Sequence, residues 1–220
     1  MLIVTFVTSA KRILKSVRGL SLTLISVYIV YNQRDLRVSF CLRSKMSLLD
    51  YVRLYDIEDD NFCDSVVREY STYEWEKHEW GHNDGETHHA EDDNTEILFP
   101  ENNLVFDICG KVFKDYSEHF SIGLVEFTPP RISRYPEGSY LRSHHDHNKD
   151  IFDGERKGIP ICTAVGLLND DFEGGNFFLS EEDIEMKKGH VIVFPSIFLY
   201  PHEVKRVTKG TRYSFVSWAW

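Results

Sequence analysis

A chain of 220 residues, 42% hydrophobic and 14% aromatic, has enough apolar material for one folded domain with a sizeable core. Its net charge of -10 is uneven: residues 1–45 carry eight Lys and Arg against one Asp, so the remainder holds -17. A body that acidic repels a phosphate backbone, which argues against nucleic acid as a partner. Four scattered cysteines (Cys41, Cys63, Cys109, Cys162) without a C-x-x-C argue against a disulfide framework or zinc knuckle and suit a reducing, cytoplasmic compartment.

Residues 1–45 differ from the rest. The apolar run at 20–31 is well short of the roughly 20 residues that span a bilayer. Because Lys11, Arg12, Lys15 and Arg18 precede it, a signal anchor or transit peptide stays open, and with it a membrane association. The simpler reading is a basic N-terminal extension outside the fold, followed by a single domain over 46–220.

Asp59 or Asp60 is a suitable N-cap for a first helix, in which Phe62, Val66 and Tyr70 recur at i, i+4, i+8 beside Cys63 and Val67. The polar stretch 76–94 holds His78, His82, His88 and His89. A metal site can be drawn from them, but polarity without periodicity reads as a surface loop. A second helix follows, with Leu104, Ile108, Val112, Tyr116 and Phe120 on one face beside Val105, Cys109 and Phe113. From Val125 onward short apolar runs alternate with Gly, Pro, Asn and Asp, the pattern of strands and turns. The run 161–168 suits a strand buried on both faces. The segment 202–207, a turn at 208–210 and the strand 211–220 read as a hairpin. Strands after two helices predict a mainly β fold with flanking helices: a jelly-roll core over about 123–220, buttressed by the N-terminal helices.

His144 and Asp146 are two apart, so on an extended strand both point to one side. An imidazole and a carboxylate aimed at one point supply two thirds of a 2-His-1-carboxylate set, which holds a non-haem Fe(II) and leaves positions open. His202 is the candidate for the third ligand. The pair alone is weak evidence, since roughly one His-x-Asp arises by accident in such a composition and His82-Asn83-Asp84 is a second. His145 and His147 would face away from the pair; they form a His-x-His of the cupin kind, but the cupin's later ligand spacings are absent.

The surrounding residues add specificity. Tyr135-x-x-Gly138-x-x-Leu141-x-x-His144-x-Asp146, then Leu167-Leu168-Asn169-x-x-Phe172-x-Gly174-Gly175-x-x-Phe178, then Phe194-Pro195-Ser196, His202-x-Val204, Gly210-x-Arg212-Tyr213 and Trp218 occur in order. Together they resemble the Fe(II)/2-oxoglutarate dioxygenases of the prolyl 4-hydroxylase-like branch. The wording near 159–169 and 194–202 is also similar to short oxygenases of marine bacteriophages. The resemblance implies a double-stranded β-helix (jelly roll) and hydroxylation of a C–H bond in a peptidyl proline or a small molecule. It further implies Fe(II) held by His144, Asp146 and His202, with 2-oxoglutarate and O2 as cosubstrates and ascorbate as an accessory reductant. Arg212 would pair with the far carboxylate of 2-oxoglutarate, a task that suits a planar guanidinium. Tyr135 would add a hydroxyl at that end, and Trp218 and Leu141 would wall the pocket.

Blander readings stand beside these. Arg212 fits a surface ion pair, Tyr135 and Trp218 fit plain core aromatics, and the whole fits a non-catalytic jelly-roll module that binds metal or a partner. Leu141 and Leu167 stand where such enzymes often carry tyrosine. Arg156 lies upstream of the usual basic position, and Arg206 replaces a common proline. Trp218 occupies the position of a second arginine in nucleic-acid demethylases, which again argues against that substrate. Asp146 favours hydroxylation over halogenation, whose enzymes lack this carboxylate.

Overall fold

The structure, a computed structural model, describes residues 26–32, 35–41, 47–81, 87–88, 94–146 and 160–220. Two compact units divide the chain, 1–47 and 48–220. In the first, β1 (Ser26–Asn32) and β2 (Asp35–Cys41) pair antiparallel, with Ser26 opposite Cys41. Part of the apolar run weighed as an anchor is therefore strand. No helix among the described residues is long and apolar enough to cross a membrane.

The second unit begins with a 3-10 turn (Leu48–Tyr51) and β3 (Arg53–Asp56), followed by α1 (Asp60–Tyr70). Asp59 caps α1 as its sequence suggests, its carboxylate accepting from the Phe62 N–H at 2.9 Å. Cys63, Val66 and Tyr70 form the buried stripe. Then come β4 (Glu76–Lys77), β5 (Trp80–Gly81), β6 (Thr87–His88) and β7 (Glu96–Leu98). The expected surface loop over 76–94 thus contains short strands: β4 pairs with β7, β5 with β6, and His78 is buried. His82, Asp84 and His89 lie outside the described residues, as do His147 and Arg156.

Helix α2 (Phe106–Phe120) buries Cys109, Val112, Phe113 and Tyr116 and ends at Ser121 in a left-handed conformation. The remaining strands are β8 (Arg131–Tyr135), β9 (Leu141–His144), β10 (Cys162–Leu167), β11 (Glu173–Gly174), β12 (Phe177–Leu179) and β13 (Glu182–Ile184). They are followed by β14 (His190–Pro195), β15 (His202–Val204), β16 (Val207–Lys209) and β17 (Arg212–Ala219). Residues 125–130, expected to lead as a strand into β8, make a single bridge, Phe127 to Ala219.

A seven-stranded antiparallel sheet runs β3-β14-β10-β17-β8-β7-β4 and faces a four-stranded sheet β13-β12-β15-β9, with β11-β16 as a separate pair. The large sheet therefore reaches beyond the expected 123–220 core and recruits β3, β4 and β7 from upstream. Period-two alternation sorts its side chains. Cys162 and Ala164 of β10 and Val191 and Val193 of β14 face the helices, with Val66, Cys109 and Phe113. Val165, Ile192 and Phe194 face the small sheet, with Leu141, Phe177, Leu179 and Val204. All six residues of β10 are buried, as its apolar run predicts.

Candidate metal centre and cosubstrate pocket

Strands β9 and β15 of the small sheet pair so that His144 lies opposite His202. Their imidazoles face each other with centroids 4.3 Å apart. Contrary to expectation, Asp146 is not on the strand with His144: β9 ends at His144, and Asp146 sits in the bend beyond it, buried. Its carboxylate still reaches both rings: Oδ1 is 3.6 Å from His144 Nε2 and Oδ2 is 3.6 Å from His202 Nε2. One ligand atom from each residue lies within 4.8 Å of the others, and among the described residues this is the only such group. Cis donors about 2.1 Å from a shared ion would be about 3 Å apart, so the three fit one ion after a small contraction.

The tautomers suit that role. His144 Nδ1 donates to the Arg142 carbonyl at 2.9 Å, and His202 Nδ1 to the Tyr200 carbonyl at 3.2 Å. A carbonyl only accepts, so each Nδ1 carries the proton and each Nε2 presents its lone pair. Burial, aided by the facing His202, pushes the His144 imidazole down to about 4, which keeps it neutral. Burial alone would push the Asp146 carboxyl up. His202 and His144, with the Trp218 indole and Thr163 hydroxyl, more than offset this and hold it below its usual range. Two neutral imidazoles and one carboxylate are the protonation states a divalent ion requires. The Phe194 ring lies edge-on to His202 at 4.9 Å.

Arg212 opens β17 in the large sheet. It is 1% exposed, and its Nη1 donates to Ser214 Oγ at 2.9 Å while Nε has no partner. Among the described residues no carboxylate pairs with it, which rules out the surface ion pair. Its guanidinium lies 5.2 Å from the centroid of the Tyr135 ring, the residue opposite it on β8. Burial lowers its pKa, partly countered by Tyr135. A buried cation with an orphaned donor is costly unless an anion completes it. A cleft of about 420 Å³ reaches it, lined by Leu167, Phe172, Gly175, Phe177, Met186 and others. Gly175 has a positive φ of 63°, and a Cβ there would lie 3.1 Å from Arg212 Cδ, so the close approach needs glycine.

The expected 202–220 hairpin does not form. After β15, the chain leaves the small sheet, pairs β16 with β11, and enters the large sheet at β17 beside β8 and β10. Arg212 and His202 therefore stand on different sheets, not along one ribbon. Trp218 shares the inward face of β17 with Arg212, as its six-residue spacing predicts, and sits opposite Thr163. Its buried indole N–H lies toward the Asp146 carboxylate and helps hold it ionised, and Arg131 lies 5.3 Å over its ring. Leu141 is buried in the cluster between the sheets.

Sequence reasoning missed Thr163, Ser214 and Arg131, and it quoted Ser196 only within a motif, without a role. Thr163 Oγ1 donates to Asp146 Oδ2 at 2.8 Å and lies 2.7 Å from Ser196 Oγ. The one hydroxyl inside an otherwise apolar, doubly buried strand was the available signal, because such a group must find a partner.

Residues 130–220 match the family described as the 2OG-Fe(II) oxygenase superfamily. Among curated relatives, a PKHD-type hydroxylase of Paracoccus denitrificans is 30% identical over 98 residues, 41% of this chain and 42% of the relative. Prolyl 3-hydroxylase 2 of Homo sapiens is 43% identical over 63 residues, 26% of this chain and 9% of the relative. The chain thus spans less than half the length of these relatives. Among solved structures, a prolyl hydroxylase from Trichoplax adhaerens in complex with a hypoxia inducible factor oxygen degradation domain peptide fragment aligns with a TM-score of 0.60 at 16% identity. That alignment covers 78% of this chain and 85% of the other. A viral collagen prolyl hydroxylase from Paramecium Bursaria Chlorella virus-1, in its 2OG complex, aligns at 0.56 and 18% identity, covering 77% and 94%. These likenesses carry the jelly-roll fold.

Proposed function

We propose, from the premise that residues 130–220 form a prolyl 4-hydroxylase-like 2OG-Fe(II) oxygenase domain, that the protein is an Fe(II)- and 2-oxoglutarate-dependent hydroxylase. The observation that carries this is the convergence of His144, Asp146 and His202 with both Nδ1 atoms tied to backbone carbonyls, opposite a buried, anion-seeking Arg212. When bound, the iron and 2-oxoglutarate supply the oxidising chemistry: O2 is consumed, 2-oxoglutarate is decarboxylated to succinate, and a substrate C–H is hydroxylated.

His144 and His202 offer Nε2, and Asp146 one oxygen, on one face of the ion. Arg212 binds the far carboxylate of 2-oxoglutarate, and the Tyr135 ring holds the guanidinium flat for that contact. Trp218 and Leu141 line the enclosure and exclude water. The substrate is a peptidyl proline or a small molecule; the first is favoured because the relatives named above include prolyl hydroxylases. The catalytic unit is residues 46–220, with 1–45 outside it, and a cytoplasmic setting fits the buried free thiols of Cys63, Cys109 and Cys162.

Succinate release tests this. The purified chain with Fe(II), ascorbate and 2-oxoglutarate should form succinate even without substrate, and Asp146→Ala should form none. Equal succinate from both would defeat the reading.

A further inference from the structure

The bend that carries Asp146 lies past the last ladder hydrogen bond of β9, so the small sheet does not fix its carboxylate. What reaches it comes from the opposite sheet. Thr163 of β10, fully buried, points inward between Phe194 and Trp218, its neighbours across β14 and β17. Its hydroxyl meets Asp146 Oδ2 at 2.8 Å and Ser196 Oγ at 2.7 Å, and Ser196 is 1% exposed just beyond the end of β14.

Hydroxyl chemistry sets the direction. An ionised carboxylate only accepts, so Thr163 donates to Oδ2; its single proton is then used, and Ser196 must donate to Thr163. The result is a buried, polarised file Ser196→Thr163→Asp146 that spans the two sheets. Each donor in such a file strengthens the next.

The geometry points to Thr163 and Ser196 as positioning residues that make Asp146 a one-oxygen ligand. This rests on the metal reading above. Oδ2 lies 3.6 Å from His202 Nε2 but is engaged by Thr163, so Oδ1, 3.6 Å from His144 Nε2, is the oxygen with its lone pairs free for the ion. That hydrogen bond competes with binding through both oxygens and so favours keeping a coordination position open for cosubstrate. Thr163 touches neither metal nor substrate, and its effect passes through Asp146.

Cobalt(II) titration of the full chain under anaerobic conditions, without 2-oxoglutarate, tests this through affinity and the visible d–d spectrum. Removing a partner of a ligand typically weakens metal binding by about 10- to 100-fold. Thr163→Val, which keeps the β-branched shape, should lose affinity in that range and change the band intensities as the carboxylate becomes free to bind through two oxygens. Thr163→Ser should restore both. Affinity within twofold of the parent and an unchanged spectrum for Thr163→Val would overturn the assignment. Should that variant not fold, Ser196→Ala decides: a several-fold loss supports the file, and no loss overturns it. Cobalt binding that is equal in the parent and in Asp146→Ala would instead remove the metal reading and this inference with it.

Discussion

Replacing Arg212 with lysine isolates what the guanidinium contributes. Lysine keeps the charge but offers a point donor where the guanidinium offers a planar fork, so one of two parallel hydrogen bonds to a carboxylate is lost. The side chain is buried, reached through the cleft, so solvent screens it little. A hydrogen bond to a charged group contributes about 1.5–3 kcal/mol, which predicts a KM for 2-oxoglutarate raised about 10- to 150-fold. The kcat should change far less, because the candidate ligands His144, Asp146 and His202 come from the small sheet and the bend beside it. A binding experiment gives a second reading. The parent's guanidinium has an orphaned Nε in the absence of a ligand, so saturating 2-oxoglutarate with a redox-inert metal should stabilise it. At about 100 times Kd the gain is about 2.7 kcal/mol, or roughly 5–10 °C in Tm for a domain of this size. Arg212→Lys should show little of that shift at the same concentration. A KM within threefold of the parent, together with an intact thermal shift, would refute the assignment of Arg212 to the cosubstrate.

Two further outcomes follow from the structure. The His144 imidazole is held neutral down to about 4, well below the ordinary histidine value of about 6.5. The unfolded chain therefore takes up a proton at this position before the folded one does, and the metal-free protein loses stability as pH falls from about 6.5 to 4. His144→Gln cannot titrate, so the parent's Tm should drop relative to it across that window; parallel curves would contradict the shift. Gly166 of β10 lies opposite Phe215, and a Cβ there would come within 2.1 Å of the Phe215 ring. Gly166→Ala should destabilise by about 1–3 kcal/mol in urea unfolding through overpacking, and an unchanged midpoint would show that the ring moves aside freely.

Local signals were the legible ones. Asp59 announced α1, the run 161–168 announced a strand buried on both sides, and the spacing of Arg212 and Trp218 placed both on one face. The ligand trio was readable because the residue types allow little else. The path of the chain was not. A turn-like 208–210 between two apolar runs looks the same whether the runs pair with each other or with strands far away. Here β15 and β17 belong to different sheets, and only long-range packing decides that. Asp146 escaped its strand for a related reason: the i, i+2 rule holds inside a ladder, and the ladder stops at His144. The upstream strands β3, β4 and β7 are two to four residues long, too short for alternation to register.

Strand β3 has a consequence for how the second unit is bounded. It pairs along β14, from His190 opposite Asp56 to Val193 opposite Arg53, and so closes one margin of the large sheet. The two helices cover that sheet's outer face through Val66, Cys109 and Phe113. Residues 130–220, though they hold the candidate metal trio and Arg212, are therefore not a transplantable cassette. Cut free, they would present a bare β14 backbone and an uncovered apolar wall, the two features by which sheets adhere to one another.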